Sequence, residues 1–128
     1  MVNQMNACRI LLLATLFGLT TSLFARTIVY IPLGSGNQVI AVDAATDKIT
    51  ATYTGVDNPH GLVATPDGEY LIAGSLKETP PLKPDSKAKT SKLFFIHPAH
   101  GHVMLTIPVT GWTHHQAITP DGRYVLST

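Results

Sequence analysis

The sequence predicts an all-β protein made of short antiparallel strands, and three observations carry that expectation. An internal repeat registers without a gap at an offset of 54 residues, the size of one supersecondary unit that stacks on its neighbours. Within each copy the apolar stretches are four to six residues long and rich in Val, Ile, Thr, Tyr and Phe, with Gly, Pro and Asp between them. Ten Gly and nine Pro in 128 residues supply many turns, as many short strands require.

Charge excludes one class of partner early. Only 13% of residues are charged and the formal net charge is +1, about half the usual charged share of roughly a quarter. A near-neutral chain carries no electrostatic footprint for nucleic acid.

Residues 1–25 are set aside from the fold. They hold no acidic residue, one basic residue at Arg9 and an apolar run from Ile10 to Leu19, which is the pattern of a secretory signal peptide, with cleavage expected after Ala25. The run is too short for a comfortable membrane span of about 20 apolar residues, so no membrane contact is expected after cleavage. Cys8 precedes the run and leaves with it, so the mature chain has no thiol and no disulfide. A periplasmic or secreted location follows.

The repeat organises residues 26–128. A shift of 54 places NPHGLVATPDGEYLIAGS, from Asn58, on WTHHQAITPDGRYVLST, from Trp112, and VIAVDAATDKITATYTG, from Val39, on LFFIHPAHGHVMLTIPV, from Leu93. Nine strands are expected, near 27–32, 38–43, 48–53, 60–65, 69–74, 92–97, 102–107, 114–119 and 123–127. In Thr65-Pro66-Asp67-Gly68 and Thr119-Pro120-Asp121-Gly122, Pro supplies a φ near −65° and Gly a positive φ, as in a type I turn followed by a bulge. Each tetrapeptide therefore joins two antiparallel strands. Residues 43–48 and 97–102 occupy a second pair of equivalent turns. The segment 75–91 carries about fourteen residues with no counterpart in the other copy, including Lys77, Lys83, Lys87 and Lys89; it reads as a solvated excursion or as a lid.

VIAV and LFFI are apolar at consecutive positions, as happens when both faces of a sheet are covered. Four-stranded sheets stacked radially provide that environment, which is the physical case for β-propeller blades. The residues NPHGLVATPDGEYLIAGS and KLFFIHPAHGHVMLTIPV also resemble the YVTN-type repeat of secreted seven-bladed propellers, over essentially all of 27–128. Nine strands amount to about two blades, whereas closure about an axis needs at least four. The expectation is a partial propeller whose remaining blades belong to a longer parent chain.

The resemblance then sorts the histidines. It makes the strand that begins at His60 the innermost of its blade, with its opening loop at the channel mouth, and places His114 and His115 at the mouth in the next blade. His97, His100 and His102 fall on the opposite face. Imidazoles from adjacent blades facing a shared cavity suit transition-metal or haem-iron ligation. The same positions resemble histidines of the nitrous-oxide reductase propeller and of the cytochrome d1 haem domain, which implies His60, His114 and His115 as candidate cofactor-binding residues, with copper or haem as the cofactor. Read without the resemblance, His60 and His114 are repeat positions whose rings bond neighbouring loops. The outer histidines can pick up Ni, Cu or Zn, or simply form a turn.

Two functions remain open at this stage. The first is a binding or scaffold module that meets a small molecule or a protein at the mouth; the second is a redox propeller with haem or copper there. No phosphate loop, CxxCH, zincin helix or GxSxG elbow occurs, and no catalytic residue is assigned.

Overall fold

The computed structural model describes residues 26–84 and 87–128; the signal-peptide reading of residues 1–25 lies outside them. Its named elements are all strands: β1 (Ile28–Leu33), β2 (Gln38–Asp43), β3 (Lys48–Tyr53), β4 (Pro59–Ala64), β5 (Leu71–Ser75), β6 (Thr90–His97), β7 (His102–Thr110), β8 (Gln116–Ile118) and β9 (Val125–Ser127). They form three antiparallel sheets in the orders β1-β2-β3, β4-β5-β6-β7 and β8-β9. The four-stranded sheet is a complete blade-like unit flanked by two partial ones. Each joins neighbours in sequence, so every connection within a sheet is a hairpin.

The repeat holds in three dimensions, down to its irregularities. In both TPDG turns the Gly N–H donates to the Thr carbonyl at 2.8 Å (Gly68 to Thr65, Gly122 to Thr119), and both glycines have positive φ, 73° and 71°. The Thr hydroxyl donates to the Asp carboxylate at 2.5 Å in each turn and accepts the amide of Tyr70 or Tyr124. Ladder registers slip between Ala41 and Val42 and between Phe95 and Ile96, leaving Thr50 and Met104, a repeat apart, as bulged residues. The carbonyls of Asp43 and His97 accept from the amides of Asp47 and Gly101, both at positive φ.

β5 and β9 begin two residues later than expected, at Leu71 and Val125, and strand ends depart from expectation with a plain cause in two further places. β8 begins at Gln116, because His114 and His115 bond the terminal Thr128 outside the regular ladder. β7 runs on to Thr110, paired with β6 back to Thr90, because the long β5–β6 connection returns as a ladder extension: Thr79 N–H donates to Thr90 O at 2.9 Å and the Thr90 hydroxyl meets the Pro80 carbonyl at 2.6 Å.

The core lies between the first two sheets. Val39, Ala41, Tyr53 and Val56 meet Leu71, Ala73, Phe94 and Ile96, none more than 4% exposed, with Ile28, Tyr30, Ala51, Leu62 and Val103 around them. Burial of each large apolar side chain contributes about 1.5–3 kcal/mol. The Tyr30 and Tyr53 rings pack at 6.3 Å, tilted by 46°. This packing fixes the angle between the sheets and so sets where β4 presents its first residues.

Candidate functional site at the start of the inner strands

His60 sits at a break in a ladder. Pro59 pairs with Ser75 and Leu62 with Ala73, so His60 and Gly61 together face Gly74. Such a bulge bends the strand and re-aims its side chains. The preceding loop is tied down, since Asn58 N–H donates to the Asn37 side chain at 2.8 Å and Leu76 N–H to Asn58 O at 3.0 Å.

The neighbouring sheet approaches this bulge closely, and two glycines permit it. A Cβ on Gly61 would collide with the His114 carbonyl and lie 2.8 Å from His115 Cα, and one on Gly74 would collide with the Thr113 carbonyl. Thr113, fully buried, is the pin. Its hydroxyl oxygen accepts the Ser75 amide at 2.9 Å and lies 3.0 Å from the Ser91 hydroxyl, while its hydrogen is shared between the carbonyls of Lys92 at 2.9 Å and Ser75 at 3.1 Å. Gln116 adds a second tie, accepting from Gly74 N–H at 3.2 Å and donating to Thr113 O at 2.7 Å. His114 and His115 are held from the other side, their amides pointing at the Thr128 carbonyl at 2.6 and 3.3 Å.

These restraints bring the three imidazoles together. Ring centroids are 5.3 Å apart for His60 and His115, 6.2 Å for His60 and His114, and 6.3 Å for His114 and His115. His60 and His115 are exposed and His114 is half-buried. Trp112 stands edge to face with His114 at 5.0 Å, and the Lys89 ammonium lies 4.8 Å above the indole, an attractive placement for a cation over a π face. Lys89 also pairs with Glu78 at 2.8 Å. The excursion between β5 and β6 thus borders the histidine cluster.

Asp57 supplies the charge on the β3–β4 loop just before His60. Its carboxylate meets Lys92 at 3.2 Å and Lys77 at 3.6 Å, and the hydrogen bond from Lys92 holds its pKa below the usual carboxylate value against partial burial. Both lysines are therefore engaged. Ser75 fixes the same loop by donating to Asp57 O at 2.6 Å.

The outer histidines lie at the other end of the blade, beside the TPDG turn. His97, His100 and His102 form a column, with centroids at 4.0 and 5.9 Å and planes within 12° and 16° of parallel. Lone pairs lie in the ring planes, so stacked rings do not aim at a common ion. Among the described residues no group of three His, Cys, Asp or Glu side chains is disposed to hold a metal ion, in this column or in the His60 cluster.

Sequence reasoning placed His60, His114 and His115 correctly in one cluster and separated the outer three. It missed Thr113 and Gln116, which position that cluster. The repeat held a signal for Thr113, because its equivalent is Pro59 and both are fully buried: a polar residue at an apolar repeat position needs bonding partners.

No family model matches the chain, and no curated protein does. Among solved structures the chain is similar to Kuenenia stuttgartiensis hydrazine synthase, with a TM-score of 0.61 at 22% sequence identity over 86% of this chain. The chain spans 33% of the length of that protein's chain. At this identity the likeness carries the fold, an array of antiparallel blade-like sheets, and not the chemistry.

Proposed function

We propose that the protein is a periplasmic or secreted propeller of the YVTN type that acts as a binding module, engaging a small molecule or a protein segment at the face bearing His60, His114, His115 and Trp112. One observation supports the reading above the rest. Side chains from two consecutive sheets converge at their inner-strand starts, and a buried hydrogen-bond network far stiffer than a surface loop fixes that convergence. Three imidazoles offer ring nitrogens for hydrogen bonding, and Trp112, 38% exposed, offers an aromatic face. The remaining blades of a longer parent chain would complete the wall around this mouth.

The redox alternative, with haem or copper at the same residues, has one observation in its favour: the ring separations of 5.3–6.3 Å. Three imidazoles bound to one ion at about 2.1 Å hold their centroids on the order of 5 Å apart. The binding reading needs no common point of aim for the three rings, and we put it first. The likeness to hydrazine synthase brings no substrate with it.

Trp112 is the only tryptophan, so its fluorescence reports on the cluster directly. A fragment screen by NMR, read on the ring resonances of the three histidines and on Trp112 emission, should find ligands that move these signals and lose affinity at least tenfold in His60→Ala and His114→Ala. Ligands that bind with those signals unmoved would overturn the reading. Retention of haem or copper after purification, lost in the same variants, would establish the redox alternative instead.

A further inference from the structure

Lys89 and Trp112 meet at the edge of the histidine cluster, and backbone bonds hold the chain on both sides of their contact. Gly111 N–H donates to Lys89 O at 2.7 Å, which sets the lysine beside the residue that precedes Trp112. Thr79 and Thr90 form an antiparallel bridge, which keeps Glu78 within reach of the same ammonium. Lys89 Nζ then lies 4.8 Å from the centre of the indole and 2.8 Å from Glu78 Oε1. A π face and a carboxylate thus define one cation position. The edge-to-face contact of Trp112 with His114, at 5.0 Å between ring centres, ties that position to the cluster.

Both groups at this position favour positive charge. The electron-rich face of an indole attracts an ammonium or a guanidinium, the more strongly as water is excluded, and a carboxylate adds a charge-assisted hydrogen bond. The present occupant is loosely held. The side chains of Lys89 and Glu78 are 57% and 46% exposed, and an ion pair so open to water contributes little. Lys89 carries its charge on a flexible stem, so the ammonium can leave while its backbone bond to Gly111 stays. Its departure frees the indole face and the Glu78 carboxylate together. An anion finds no such opening at Lys77 and Lys92, because Asp57 holds them at 3.6 and 3.2 Å whatever Lys89 does.

We infer that Lys89 is a tethered occupant of a ligand position at this mouth, and that the ligand is an organic cation, a primary ammonium or guanidinium on an apolar stem, which displaces Lys89 from Trp112 and Glu78. The inference rests on the proposed binding role of the face bearing His60, His114, His115 and Trp112, and gives that role a chemical class. A tethered competitor lowers the apparent affinity of a free ligand in proportion to the share of molecules in which it fills the site. Loss of Lys89 therefore tightens binding. One exposed cation–π contact and one exposed ion pair together correspond to a factor of about three to ten. A neutral molecule of the same shape touches the indole but gives Glu78 no charge to answer, and an anion meets Glu78 with like charge.

The probe is n-butylammonium chloride, which reproduces the end of a lysine side chain. It is titrated into the whole chain at constant ionic strength and followed by Trp112 emission and by the indole N–H and His114 ring resonances. Lys89→Ala should bind it about three- to tenfold more tightly than the wild type. Adding Glu78→Gln to Lys89→Ala should cost about threefold of that affinity, and neither 1-butanol nor butyrate should saturate the signals. Should Lys89→Ala fail to fold, Lys89→Gln keeps a stem and the bond to Gly111 and removes the charge alone. Equal affinity in wild type and variant, no saturation in either, or an equal response to 1-butanol would each overturn the inference. If neutral or anionic fragments then move His114 and Trp112 in the same samples, the mouth binds another class and the proposed function stands without its cation. Silence of both residues toward every fragment, whatever its charge, would remove that function as well.

Discussion

Replacement of Thr113 by Val is the sharpest probe of how the histidine cluster is held. The change preserves shape and removes one hydroxyl. In its absence the Ser75 amide, in a residue with no exposed surface, loses its acceptor at 2.9 Å, and an unsatisfied buried donor costs about 1–3 kcal/mol. The carbonyls of Lys92 and Ser75 lose a shared donor as well, while Ser91 keeps the Gly111 carbonyl at 3.0 Å. The expected loss is about 2–4 kcal/mol, and each kcal/mol moves the Tm of a domain of roughly 100 residues by about 4–8 °C. Urea denaturation gives the stability change, and amide exchange at Ser75 gives its location. In the same variant the contacts between His60 and His115 should weaken, because the residue that docks the third sheet on the second is gone. A stability change below about 0.5 kcal/mol, the range of a neutral surface substitution, would refute the hydroxyl as the pin.

Other substitutions separate close packing from backbone conformation. Gly74→Ala should prevent the third sheet from docking, since its Cβ would occupy the place of the Thr113 carbonyl, whereas Gly68→Ala meets nothing within 4 Å and costs only the strain of a φ of 73°, about 1–2 kcal/mol; thermal melts rank the two. Tyr53→Ala should cost about 3–5 kcal/mol, and Ile107→Ala, at the repeat-equivalent but exposed position, less than half as much, as equilibrium unfolding would show. Asp43, Asp57, Asp67 and Asp121 all have carboxyls held below their ordinary value of 3.8, led respectively by hydrogen bonds from Arg26, Lys92, Thr65 and Thr119. A depressed folded pKa contributes stability above the unfolded value that is lost as pH falls through the folded one, so the contribution of these four carboxylates should be fully present above about pH 5 and decline below it. Asp67→Asn with Asp121→Asn should flatten that decline in acid titrations followed by circular dichroism.

The fold was legible because its signals are local and repeated. Pro66, Gly68, Pro120 and Gly122 encode their turns through φ alone, and a turn that needs no distant partner can be read from four residues. The separation of the histidines into two groups came with the resemblance, which set the His60 strand first in its unit, and the sheet order β4-β5-β6-β7 follows the hairpin succession it implies. What stayed hidden depends on contacts between sheets. Nothing in the sequence near His60 announces the bulge that re-aims it, because the bulge arises from how Pro59 and Leu62 pair with β5. The division of nine strands into sheets of three, four and two was likewise invisible to a count of strands, since the 54-residue unit begins in mid-sheet. The excursion between β5 and β6 read as solvated from its lysines, and most of its described residues are exposed; the sequence did not show that Lys89 also reaches Trp112 and Glu78.

The proximity of His60 to His115, on different sheets and 55 positions apart in the chain, depends on the repeat, the inter-sheet core and the Thr113 network all at once. Nuclear Overhauser contacts between their ring protons, collected on the folded chain with histidine-selective labelling, measure it directly. With ring centroids at 5.3 Å cross-peaks between His60 and His115 are expected, and none between either ring and His97, His100 or His102. Absence of the first set in a well-folded sample, or presence of the second, would contradict the fan of equivalent sheets on which the functional reading stands.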